Sequence, residues 1–235
     1  MEGVKAAFND KVDEVERYFL FLQSTLEKEV HLLVPSNGSD KTFRVDEELK
    51  KILKANTFLI LYNLVESTVR TAIEEIFERL RHDQRSYQHI REELKQLWIR
   101  DGLKGVERSG GSPHKYRVVA KSLVENAIRN NTVNFDVDNL PISGNIDANE
   151  IRNLAKKFGF SEKTHWRAKG GETLLTVKDR RNRLAHGNIS FGECGRDFDG
   201  KELMRIKSEV IIYLRSFIRN VEKYLAKKQY ENSTS

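Results

Sequence analysis

One stretch of the sequence, Arg180-Arg181-Asn182-Arg183-Leu184-Ala185-His186-Gly187, combines fixed positive charge with a proton-transfer group. Arginine holds phosphate oxygens through a rigid fork of N–H donors, and histidine exchanges protons near neutral pH, so the pair suits phosphate-ester chemistry. On a helix, Arg181 and His186 project about 140° from each other and can flank one phosphate. Asn182 and His186 lie four apart on one face, which predicts that the amide orients the imidazole. Gly187 is placed to end the helix, and a histidine there lies beside the negative pole of the helix dipole, a setting suited to binding or protonating a phosphate ester. Arg180 competes with Arg181 for the arginine role; Arg181 is preferred because Asn182 follows it. Spacing alone decides little in so arginine-rich a chain, since Arg108 and His114 meet it as well.

Other chemistries find no comparable kit. The six histidines are scattered, none at metal-ligand spacing from a second His or Cys, so no metal and no cofactor is expected. Glu74 and Glu75 are adjacent, fall on different helix faces and read as surface residues. Gly110-Gly111-Ser112-Pro113 lacks the Lys-Ser/Thr spacing and the preceding strand of a phosphate-binding loop. The single cysteine, Cys194, reads as a loop thiol and points to a reducing, cytoplasmic setting.

The chain has 235 residues, 38% apolar and 32% charged, a composition that folds, and a single domain is expected. Uninterrupted apolar runs such as Phe58–Tyr62 fall far short of the roughly 20 residues of a spanning helix, and the N-terminus does not read as a secretory signal. Much of the net charge of +6 comes from residues 150–187, where ten Lys or Arg (Arg152 to Arg183) face four acids while the remainder balances. Such a segment fits an ordinary solvated face or a polyanion-binding surface.

Stepping along the chain, apolar residues from Val4 to Leu33 recur at helical spacing and predict one N-terminal helix over 1–34, ended by Pro35–Ser39. A long second helix is expected over 46–82, capped by Asp46 and carrying Tyr62, Asn63, Glu66 and Arg70 in a core-like run. Tyr87, Ile90, Leu94, Leu97 and Trp98 suggest a third helix. Gly102–Lys115 reads as a loop, Val118–Ile128 as helix, Asn130–Pro141 as irregular with at most a short strand at Phe135–Val137. Ser143–Asp147 caps a helix through Phe158. The motif helix covers 172–187, the last helix 200–228, and the tail from Asn232 reads as frayed. The expected fold class is all-α, a bundle of about six to seven helices with long N- and C-terminal helices.

With these elements in order, Arg181-Asn182 followed by His186-Gly187 resembles the signature of the HEPN superfamily. Leu61-Tyr62-Asn63-Leu64-Val65-Glu66-Ser67-Thr68, Ser143-Gly144-Asn145-Ile146-Asp147 and Ser190-Phe191 resemble its MAE-type, nuclease-like bacterial branch. The resemblance covers most of the chain. It implies a helical bundle, a homodimer that brings two motifs together, and metal-independent RNA cleavage through the 2′-hydroxyl, with Arg181 and His186 catalytic. Asn182, Glu66, Arg70 and Arg180 would support them, and Arg183, Lys178, Arg167 and Lys169 would contact RNA. It further implies a toxin or phage-defence effector with an antitoxin or regulatory partner. A non-catalytic module that binds RNA, nucleotides or protein stays open beside the ribonuclease.

Overall fold

Apolar residues on α2 (Glu47–His82) run almost without interruption from Phe58 to Val65, because this helix is covered on several sides rather than along one stripe. A computed structural model describes residues 1–27, 29–34, 41–108, 110–135 and 144–232. Around α2 it places α1 (Glu2–Glu27), α6 (Glu172–Ala185), α7 (Phe191–Arg196) and α8 (Gly200–Ala226). Also present are α3 (Glu92–Arg108), α4 (Pro113–Ile128), α5 (Ala148–Phe158) and a hairpin of β1 (His31–Val34) with β2 (Lys41–Arg44). The architecture is an all-α bundle. Val4, Phe8, Val12, Val15, Phe19 and Leu22 form the buried stripe of α1, and Leu203, Ile206, Val210, Leu214, Phe217 and Val221 that of α8. Asp46 caps α2 by accepting the Leu49 N–H at 2.8 Å, and α5 runs from its Asp147 cap to Gly159, which adopts φ 80°.

The structure corrects the expectation at several points. The N-terminal helix stops at Glu27, and Val30 and Leu33 leave its stripe. Leu33 pairs with Thr42 in the hairpin and is 61% exposed. A short apolar run such as Val30–Val34 satisfies helix and strand periods equally, and cross-strand pairing decided it. The expected turn Pro35–Ser39 lies outside the described residues, as do Asp136, Val137 and Ser143. Tyr87 and His89 form a 3-10 turn, so the third helix begins at Glu92. Most of the expected loop Gly102–Lys115 is helical: α3 continues to Arg108, and α4 starts at Pro113 behind its Ser112 cap. Gly102 is a packing residue, since a Cβ there would lie 2.9 Å from Leu123 of α4. Of the tail expected to fray, Asn232 is tied back, its side-chain amide donating to the Gln88 carbonyl at 2.8 Å, and residues 233–235 lie outside the described residues.

The helix absent from the expected set is α7, which brings the described total to eight α-helices. Its start is a capping box in which Ser190 and Glu193 satisfy each other's backbone N–H. Its packing rests on Gly195, where a Cβ would fall 1.9 Å from the Lys51 carbonyl oxygen of α2. Cys194 is therefore a fully buried helix residue rather than a loop thiol, and burial pushes its pKa up. Among the described residues, no helix is long and apolar enough to cross a membrane.

Candidate functional site

The last turns of α6 carry Arg181 and Asn182 and meet the middle of α2 and the segment 144–147 that leads into α5. The helix ends in a Schellman turn: Gly187, at φ 68°, donates its N–H to Leu184 O at 3.2 Å, and Asn188 donates to Arg183 O at 2.8 Å. His186 is the C-cap residue, its backbone N–H bonded to Asn182 O at 3.0 Å, so it sits at the helix end as expected. The residue is exposed, and its imidazole has no side-chain hydrogen-bond partner among the described residues.

Arg181 is held from three sides. Its guanidinium carbon lies 4.2 Å from the centroid of the Tyr62 ring, a cation–π contact. Nη1 donates to Asn182 Oδ1 at 2.8 Å, and Nη2 lies 3.9 Å from Glu66 Oε2. Glu66 in turn stands 3.9 Å from Arg70, so Tyr62, Glu66 and Arg70, spaced by four on one face of α2, line up beside the motif. The Arg181 side chain keeps 29% of its surface exposed. Because a guanidinium has five N–H donors and only one is hydrogen-bonded among the described residues, donors remain for an anion.

The segment 144–147 is clamped to this cluster. The Tyr62 hydroxyl donates to the Gly144 carbonyl at 2.6 Å and accepts the Ile146 N–H at 3.1 Å. Burial, opposed by that amide, raises the phenol pKa above its ordinary value, so the group stays a proton donor. Asn145 accepts from the Asn182 amide at 2.7 Å. Asp147 caps α5 with one oxygen and receives Lys178 Nζ of α6 on the other at 2.7 Å. Burial works to raise the Asp147 pKa, yet the Lys178 ammonium and the Glu150 and Asn149 amides together hold it below the ordinary carboxylate value. The bond to Asp147, against the cost of burial, raises that of Lys178.

Several sequence-predicted residues fall elsewhere than expected. The Asn182 amide does not orient the imidazole, because Arg181 and Asn145 occupy its oxygen and nitrogen. Lys178, expected as an RNA contact, is committed to Asp147, and only 18% of its side chain is exposed. Arg180 turns to α7, pairing with Asp197 at 2.7 Å and lying over Phe198, so it is not part of the Tyr62 cluster. Lys169 pairs with Glu209 at 3.0 Å, Arg167 lies over Trp166, and Arg183 is exposed. Arg70 reaches the motif only through Glu66. Tyr62, Asn145 and Asp147 were not among the expected site residues. Two signals could have placed them: Tyr62 stands four before Glu66 on a helix, and all three residues lie in the segments 61–68 and 143–147 that carry the resemblance.

A braced arginine on a helix whose C-cap is an exposed histidine offers the groups needed to bind a phosphodiester and move a proton on it. Comparison with known proteins agrees in kind: the MAE_28990-like HEPN family model matches residues 3–230. No curated protein and no solved structure matches the chain.

Proposed function

The chain belongs to the MAE_28990-like HEPN family, and from that premise we propose that it is a metal-independent endoribonuclease acting through Arg181 and His186. The observation that carries this is the guanidinium of Arg181, fixed against Tyr62 and Asn182 with N–H donors left open, on the helix whose end displays His186. In the reaction, the ribose 2′-oxygen forms a bond to phosphorus, the bond to the 5′-oxygen breaks, and a 2′,3′-cyclic phosphate and a 5′-hydroxyl result. His186 takes the 2′-hydroxyl proton or supplies one to the departing 5′-oxygen, and water or a second copy of the motif takes the complementary role. Arg181 balances the charge that builds on the phosphate oxygens. DNA, without the 2′-hydroxyl, is not a substrate.

The test is incubation of the pure protein with unstructured RNA in EDTA. Cleavage with cyclic phosphate ends, lost with 2′-O-methyl RNA, is expected; activity that required added magnesium or manganese would remove the mechanism. A toxin or defence role, a homodimer with the motif near its interface and an antitoxin partner complete the proposal. Growth arrest on expression, relieved by His186→Ala, and the mass in solution test the first two; co-purification of a neighbouring gene product tests the third.

A second function is favoured by one observation. His186 lacks an orienting partner among the described residues, as befits a module that binds RNA without cutting it. Wild type and His186→Ala that bind RNA equally and cut none would decide for it.

A further inference from the structure

Trp166 is 76% exposed, the highest exposure of any large apolar side chain described, and it projects from a segment that is otherwise firmly pinned. The 3-10 segment Trp166–Gly171 packs on α8. The His165 N–H donates to Ser216 Oγ at 3.1 Å, Asn220 donates to the Lys163 carbonyl at 2.8 Å, and Ala168 is fully buried. Lys169 Nζ reaches Glu209 at 3.0 Å, and Arg152 donates to the Gly170 carbonyl at 3.0 Å. Exposure here is therefore display by a fixed loop, in which the indole contributes little to the core.

Its neighbours resemble a base-binding surface. The His165 ring lies 5.7 Å away at an interplanar angle of 27°, and the Arg167 guanidinium 5.2 Å from the indole centroid. Lys163 and Arg167 are exposed and form no ion pair among the described residues. Aromatic faces flanked by cations take up unpaired bases by stacking while the cations follow the phosphates. We propose that His165, Trp166 and Arg167 form a stacking platform for an unpaired base of a single-stranded nucleic acid, a site that rests on the chain acting on RNA but lies apart from its chemistry. Between Trp166 and His186 runs the whole of α6, 14 residues or about 20 Å at 1.5 Å per residue.

Stacking ignores the sugar, whereas the proposed cleavage requires the 2′-hydroxyl, and this separates the two ideas. The probes are oligo(dA) and 2′-O-methyl oligo(A), followed by intrinsic fluorescence. Of the two tryptophans, Trp98 is 8% exposed, so Trp166 reports the contact. Quenching is expected in wild type and absent in Trp166→Phe. Trp166→Ala should bind at least about 5-fold more weakly, with part of the affinity recovered in Trp166→Phe. Unchanged affinity in Trp166→Ala overturns the platform, including the case where RNA is still cut and the nuclease survives. Quenching and weakened variants with no RNA cut leave the platform standing while the nuclease falls. A changed oligomeric state with unchanged oligonucleotide affinity assigns the surface to protein contact and overturns the proposal.

Discussion

At the scale of single residues, Arg181 is the most constrained part of the site and His186 the least. Arg181→Ala is expected to slow RNA cleavage by about 10²-fold or more. Arg181→Lys should restore little, because an ammonium keeps the charge but not the fork that meets Asn182 or the flat face over Tyr62. Full recovery in the lysine variant would reduce Arg181 to a long-range charge. His186→Ala should slow cleavage by about 10²- to 10⁴-fold with the fold intact, since the residue is exposed at a helix end; an unchanged rate would move proton transfer to another group. A third residue isolates the support beneath the site. In Asp147→Asn the α5 cap survives, because asparagine caps as well as aspartate, and only the charge shared with Lys178 is lost. The folded-state pKa of Asp147 is depressed, so its stabilisation is present above the ordinary carboxylate value and disappears as pH falls through the folded one. Wild type should therefore exceed Asp147→Asn in urea resistance at neutral pH, by about 1–2 kcal/mol, and the gap should narrow in acid below the ordinary carboxylate value. An equal gap in acid and at neutral pH would show that shape rather than charge matters.

Among the elements, α7 packs most extensively on α2, and that packing depends on an absent side chain. Gly195→Ala would put a methyl 1.9 Å from the Lys51 carbonyl oxygen, and since backbone cannot swing aside, the helix must shift. A loss of about 1–3 kcal/mol in urea unfolding is expected; a stability equal to wild type would mean that α7 is not seated as described. The same helix shows where sequence ceases to inform. Long helices with capping residues were legible: Asp46, Asp147, Gly159 and Gly187 mark ends through local hydrogen bonding that the sequence alone encodes. The hairpin was not, because Leu32 and Phe43 choose strand only by pairing with each other. Gly102 and Gly195 look like breakers in a sequence and are close-approach residues in the fold, a distinction that exists only once a second helix lies against them. In the candidate site, Arg181 and Asn182 were singled out by their place before His186 at a helix end and Glu66 by the resemblance, whereas the Tyr62–Gly144 and Asn182–Asn145 bonds join residues 82 and 37 positions apart and leave no local trace.

For the whole molecule the question is how much of the basic segment 150–187 is free to meet a polyanion. The sequence counts ten cations there, but the fold has already used several: Arg152 on the Gly170 carbonyl, Lys169 on Glu209, Lys178 on Asp147, Arg180 on Asp197, and Arg181 partly on Asn182. Lys156, Lys163, Arg167 and Arg183 are exposed and Lys157 is half-buried, and none of these five has an ion pair among the described residues; the four exposed ones are counted as free. Each phosphate neutralised on a single strand contributes about −0.7 to the slope of log K against log salt, so four free cations with Arg181 predict about −3 to −3.5 for each RNA-bound chain, rather than the roughly −7 that all ten would give. Filter binding of 2′-O-methyl RNA across about 50 to 200 mM salt measures it. Replacing Arg183 by alanine should reduce the slope by about one phosphate's share, and replacing Lys178 should leave it unchanged, because that ammonium is held by Asp147. A slope near zero would assign the surface to something other than nucleic acid. One near −7 would mean that the internal ion pairs open on binding, in which case the cluster around Asp147 and Lys178 takes part in recognition instead of bracing it.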